Sequence, residues 1–123
     1  MLRFKFLLWM LTKLLRRAIR TKPDAARHVS SKDVTFQIRT TGGAGRHYRI
    51  ASGRVTSSAG LEEASPDFTL TFSTGAAGFR ILSAKDAKGA FLQGLHDGEL
   101  TISGDFVKVM WFQRLADFLQ PDK

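Results

Sequence analysis

The chain has 123 residues, a length that suits one domain with a single core rather than two. A hydrophobic content of 43% with 24% charged residues excludes a wholly disordered chain, and the absence of cysteine excludes disulfide frameworks, thiolate metal sites and dithiol redox chemistry. The net charge of +8 is unevenly placed: Arg3, Lys5, Lys13, Arg16, Arg17, Arg20 and Lys22 stand among residues 1–22 without a single acid, while the rest of the chain is nearly balanced. A nucleic-acid-binding domain carries its basicity across its own surface, so no nucleic-acid partner is expected.

Leu2 to Arg20 contains neither Pro nor Gly and is rich in helix formers. At 100° per residue, Phe4, Leu7, Leu8, Leu11, Leu14, Leu15, Ala18 and Ile19 form one broad apolar face. Lys5, Thr12, Lys13, Arg16, Arg17 and Arg20 form the opposite face, with Phe6 and Trp9 off the apolar centre. Pro23 ends this helix through its effect on Lys22. The unbroken apolar run from Phe6 to Leu11 is far short of the roughly 20 residues a membrane span requires. Cations follow that run, which fits neither a secretory signal nor a twin-arginine signal.

Two readings of this helix stand. It can lie in an anionic membrane interface, with Phe4, Lys5, Phe6, Leu7, Leu8, Trp9, Leu11, Lys13, Arg16, Arg17 and Arg20 as the membrane contacts. Alternatively, it docks its apolar face on the rest of the protein or on a second copy. Seven cations without one acid favour the membrane.

Residues 23–33 read as a linker between this cationic helix (1–22) and the domain proper (34–123). Val34, Phe36 and Ile38 alternate with Thr35, Gln37 and Arg39, the pattern of a half-buried strand. Residues 41–45 form a turn, Tyr48 and Ile50 continue the alternation, Ser52-Gly53 turns again, and residues 54–59 give a weaker strand. Residues 60–66, with Glu62 and Glu63, read as a loop. Phe68, Leu70 and Phe72 against Thr69 and Thr71 make the clearest strand, and such alternation predicts an antiparallel sheet with one covered face. Ser73 or Thr74 can cap a helix holding Phe79, Ile81 and Leu82, and Asp86 can cap another holding Ala90, Phe91 and Leu92. A strand with Leu100 and Ile102 on one face follows, then Gly104 and a helix capped by Asp105. That last helix, Phe106 to Leu119, is apolar over more than half its circumference through Val107, Val109, Trp111, Phe112, Leu115, Phe118 and Leu119.

In the order of these elements, with Asp67-Phe-Thr-Leu-Thr-Phe72, Ala90-Phe-Leu-Gln-Gly94 and Leu100-Thr-Ile-Ser-Gly-Asp105, the chain resembles the sterol carrier protein 2 family over roughly residues 34–120. The family usually runs from Gln-Gly straight into the strand ending in Gly-Asp. Here Leu95-His-Asp-Gly98 intervenes, either as an inserted turn or because Gly98 takes the place of the family's glycine and the preceding helix is longer. The resemblance implies an α+β fold, a sheet of about five antiparallel strands covered by helices around an apolar cavity. It also implies a non-enzymatic lipid carrier without a cofactor. Small bacterial relatives serve as accessory factors of ubiquinone synthesis. This makes an isoprenoid quinone precursor or other lipid, an anionic membrane surface at the cytoplasmic side and ubiquinone-synthesis enzymes the expected partners. The competing reading is an interaction module whose N-terminal helix docks on a membrane enzyme and whose core is solid.

The lipid-binding candidates are Phe36, Ile38, Phe68, Leu70, Phe72, Phe79, Leu82, Phe91, Gln93, Leu100, Ile102, Phe106, Met110 and Phe118, though a plain core also explains each apolar one. Phe106 and Met110 share a helix stripe with Gln113 and Asp117, a mixed surface suited to a cavity mouth, and Met adapts to varied ligands. Gln93 can hydrogen-bond a ligand headgroup or tie down the turn at Gly94. His28, His47 and His96 lie far apart and read as surface or satisfied histidines, so no metal site is expected. Paired carboxylates and Ser/His arrangements are lacking as well, so no catalytic residue is expected.

Overall fold

The computed structural model describes residues 2–43, 45–60 and 66–118; the expectations that fall on Glu62, Glu63 and Leu119 lie outside them, as does the side chain of Asp117. Ten elements follow in order: α1 (Leu2–Thr21), α2 (Pro23–Val29), β1 (Asp33–Thr40), β2 (Gly45–Ala51), β3 (Arg54–Ala59), β4 (Phe68–Phe72), α3 (Gly75–Leu82), α4 (Ala87–Asp97), β5 (Leu100–Gly104) and α5 (Phe106–Asp117). The sheet order is β3-β2-β1-β4-β5. All neighbours pair antiparallel except β1 and β4, which run parallel. This amends the all-antiparallel expectation. Side-chain alternation reports which face is buried, not strand direction. After the β1-β2-β3 meander, β4 enters beside β1 in the same sense as β1.

Register brings the apolar positions together on one face. Phe36 stands opposite both Tyr48 and Phe68, Ile38 opposite Leu70, Ile50 opposite Val55, and Leu70 opposite Ile102. Helices cover this face: α1 packs on β2, β3, α2 and α3, while α4 meets β5 and α5 meets β4.

Residues 23–33 are more than a linker. Lys22, extended at φ −117° as a pre-proline residue, breaks α1, and Pro23 then opens α2. Ala25 and Val29 of α2 are fully buried. His28 of α2 and Trp111 of α5 clasp each other: His28 Nε2 donates to the Trp111 carbonyl (3.0 Å), Trp111 Nε1 donates to the His28 carbonyl (3.1 Å), and their rings stack.

The apolar face of α1 belongs to the core. Phe4, Leu8, Leu11, Leu15 and Ala18 are buried, so Phe4, Leu8 and Leu11 point at the sheet instead of at a membrane. The physical reason is that α1 is the helix that covers β2 and β3, whose apolar residues Tyr48, Ile50 and Val55 would otherwise face water. Polar ties fix its seat: the Tyr48 hydroxyl donates to the Leu8 carbonyl (2.7 Å), Thr12 Oγ1 meets Ser57 Oγ (2.6 Å), and Arg16 Nε donates to the Val55 carbonyl (2.9 Å). Leu7 is half-buried, whereas Lys5, Phe6, Trp9, Lys13, Arg16, Arg17 and Arg20 are exposed. Lys13 Nζ sits 4.8 Å above the Trp9 ring.

Asp67 knots four elements together. Its carboxylate accepts from the Thr35 amide (2.9 Å) and pairs with Lys108 (3.0 Å); its own amide donates to the Thr35 carbonyl, and its carbonyl accepts from the Asp105 amide, both at 2.8 Å. Partial burial alone would raise the carboxyl pKa, but the Thr35 amide, the Lys108 ammonium and the Thr35 hydroxyl together hold it below the usual carboxylate value. A carboxyl lowered on folding adds stability that is present above its unfolded value, near pH 4, and is lost as pH falls through the folded one. Asp67→Asn is therefore expected to lower stability by about 1–2 kcal/mol at pH 7. Urea titrations at pH 7 and pH 3 check this, since the gap to the parent chain should narrow at the lower pH.

Candidate functional site

The covered face of the sheet is the candidate site. Its centre is a ladder of rings laid down by strand register: Tyr48, Phe36 and Phe68 stack at centroid separations of 4.9 and 5.0 Å, and Phe112 of α5 tilts onto both Phe36 and Phe68. At one end, Phe4 of α1 meets the edge of Phe72. Burial pushes the Tyr48 phenol pKa well up against the opposing influence of Arg46, so it remains protonated and keeps donating to Leu8. Thr40, also on this face and 1% exposed, holds a buried hydroxyl with no hydrogen-bond partner among the described residues.

Of the residues expected to meet a ligand, Phe36, Ile38, Phe68, Leu70, Phe72, Phe91 and Leu100 are buried on this face or against it. Leu82, Ile102 and Phe118 are partly buried and pack on that cluster. The other four stand apart. Phe79 is 36% exposed, and Phe106 and Met110 are more than half exposed. The stripe of α5 that faces the sheet is Val109, Phe112 and Leu115. Gln93 is exposed and donates to the Asp97 carboxylate (3.0 Å), one helical turn along the same helix. It therefore neither ties a turn nor points inward.

The Gln93-Gly94 pair lies inside α4, which continues to Asp97 and ends at Gly98 in the left-handed conformation (φ 76°). Of the two readings of Leu95-His-Asp-Gly98, the longer helix is the one that forms. Gly94 serves close packing: a Cβ there would lie 2.7 Å from Ile81 Cδ1. The expected caps are in place, with Thr74, Asp86 and Asp105 accepting from the first amides of α3, α4 and α5.

Tyr48 and Phe112 are the central residues that sequence reasoning left out of the site. Register against Phe36 was the signal for Tyr48. For Phe112, the spacing Val109, Phe112, Leu115 competed with Phe106, Met110, Gln113, and nothing local decided between them.

A five-stranded mixed sheet with helices packed on one face, a parallel pair at its centre and a last helix following a Gly-Asp corner is the fold of sterol carrier protein 2. The sequence matches no protein-family model and no curated protein. Among solved structures, the UbiJ-SCP2 ubiquinone synthesis protein is similar with a TM-score of 0.66 at 19% identity, over 94% of this chain and 92% of its own. A crystal structure of sterol carrier protein 2 gives 0.59 at 14% identity, over 88% and 92%. The apo form of sterol carrier protein 2 from Yarrowia lipolytica gives 0.54 at 13% identity, over 95% and 94%.

Proposed function

We propose that this chain is a non-enzymatic lipid-binding protein that holds an apolar chain, polyprenyl or acyl, between its sheet and helices at the cytoplasmic membrane face, as an accessory factor in ubiquinone synthesis. The observation that carries this reading is the near-complete mutual coverage with the UbiJ-SCP2 ubiquinone synthesis protein. It is strengthened by a covered face to which each of the five strands gives at least one buried apolar side chain. Thr40, whose hydroxyl is unpartnered among the described residues, is the residue assigned to meet the ligand's polar group. The chemistry is retention and release, with no bond made or broken and no cofactor. Room for a ligand on this face requires its packed rings to part, Phe112 from Phe36 and Phe68 among them.

Native mass spectrometry of gently purified protein, followed by organic extraction, tests the proposal. A stoichiometric polyprenyl or acyl species supports it; an empty protein that binds neither class on titration sinks it. No helix among the described residues is long and apolar enough to cross a membrane. The membrane contact is therefore assigned to the outward side of α1, where Phe6 and Trp9 are 58% and 43% exposed beside Lys5, Lys13 and Arg17. The double substitution Phe6→Ser, Trp9→Ser is expected to weaken co-sedimentation with anionic vesicles at least tenfold while leaving the melting temperature within a few degrees, because neither ring is part of the core.

A second reading has its own support. Phe36 already contacts three rings, while Phe106, Val107 and Met110 stand exposed together at the start of α5. An interaction module with a solid core would have this character. Co-purification of an empty chain with a ubiquinone-synthesis enzyme would favour it.

A further inference from the structure

Arg16, Ile19 and Arg20 lie three and four residues apart on α1, so they share one side of the helix, and that side meets the β2–β3 hairpin. The hairpin turns through Ser52 and Gly53, both at positive φ (53° and 74°), the geometry of a tight two-residue connection. This turn sets Arg54 at the start of β3, next to the end of α1. A cleft of about 450 Å³ opens at the junction, lined by Arg16, Ile19, Arg20, Arg54, Val55 and Thr56.

Its electrostatics are one-sided. Three arginines, Arg16, Arg20 and Arg54, line the cleft, and no lining residue is acidic. Arg16 is held in place by its Nε bond to the Val55 carbonyl, which leaves its terminal N–H groups for another acceptor. Arg20 and Arg54 form no ion pair among the described residues. Like charges gathered without a counter-charge repel, and a compact anion between them relieves that repulsion. Guanidinium forks match phosphate oxygens two at a time.

We propose that this cleft between α1 and the β2–β3 hairpin is a binding site for a phosphate or diphosphate group. Its lining includes none of the rings stacked at the centre of the covered face, so it stands or falls independently of what the interior holds. Two sources present this chemistry, a phospholipid headgroup and a free phosphorylated solute, and the experiment separates them.

Inorganic pyrophosphate is titrated into the full chain at low salt by calorimetry, alongside thermal melts. Vesicles of phosphatidylcholine with and without phosphatidic acid are then offered to the same protein. The expected result is saturable one-to-one binding that raises the melting temperature, weakens steeply with salt, and falls at least tenfold in Arg20→Gln, Arg54→Gln. Arg16 is left untouched because its backbone bond helps to seat α1. The control Lys85→Gln, Lys88→Gln removes the same charge just before and in the first turn of α4 and is expected to bind as the parent does. If phosphatidic acid vesicles displace pyrophosphate and lose the double variant, the site takes a lipid headgroup; if they do not compete, it takes a free solute. The proposal is overturned if neither probe binds saturably, or if the control variant loses as much as the arginine variant.

Discussion

Replacing Gly104 by alanine is expected to cost about 3–5 kcal/mol of stability, a large share of what a domain of this size has. Two independent effects add at this position. Its φ of +102° is one that a side chain disfavours, at about 1–3 kcal/mol. A Cβ would also lie 2.4 Å from the Asp67 carbonyl oxygen and 2.8 Å from the Phe68 Cα, both backbone atoms that cannot swing aside. Any escape has to pull β5 from β4 or break the Asp105 amide bond to Asp67 (2.8 Å). A urea midpoint and a thermal melt measure the effect; a fall in melting temperature of less than a few degrees would show that the corner is looser than its geometry. The Gly-Asp pair that marks the end of β5 is thus an architectural feature, needed for the close crossing of two chains.

Phe36→Ala is the second large effect, at about 4 kcal/mol, from the volume removed and from the loss of ring contacts with Tyr48, Phe68 and Phe112. Phe36→Leu, which keeps most of the volume, is expected to cost less than half as much. The alanine variant also probes access to the interior. A fatty acid able to reach the covered face should fill the hole and raise the melting temperature of Phe36→Ala more than that of the parent chain. An equal rise in both, or none, would count against a reachable interior.

Much of this architecture is legible in the amino-acid sequence. Strand alternation identified the buried faces of β1, β2, β4 and β5, and short polar residues before apolar runs located the caps Thr74, Asp86 and Asp105. Direction was not legible, because period-two alternation is the same in parallel and antiparallel strands, and so the β1–β4 pairing was missed. Around α5 the apolar residues occupy too much of the circumference for periodicity to choose a face. Phe106 and Met110 therefore looked as eligible as Val109 and Phe112, yet they lie outside. For the cationic N-terminal helix the pattern left two readings open, a membrane surface or the rest of the protein. Its apolar face packs on β2 and β3, a tertiary choice that no local pattern encodes, while its cations and the Phe6 and Trp9 rings remain exposed.

The parallel pairing of β1 with β4 also bears on the route by which the chain assembles. Phe36 and Phe68 stack although 32 positions separate them, and closing so long a loop from an unstructured chain is entropically unfavourable. Most of β1 and all of β2 and β3 lie inside that loop, and each turn of this meander joins strands adjacent in sequence. Once the meander has formed, only the short stretch between Ala59 and Phe68 remains to be closed, which lowers the loop cost by about 1 kcal/mol. Assembly therefore has a natural sequence, in which the two hairpins zip first and β4 docks on the template they present. A substitution in the Ser52-Gly53 turn would accordingly slow folding, while one in β5 would mainly speed unfolding.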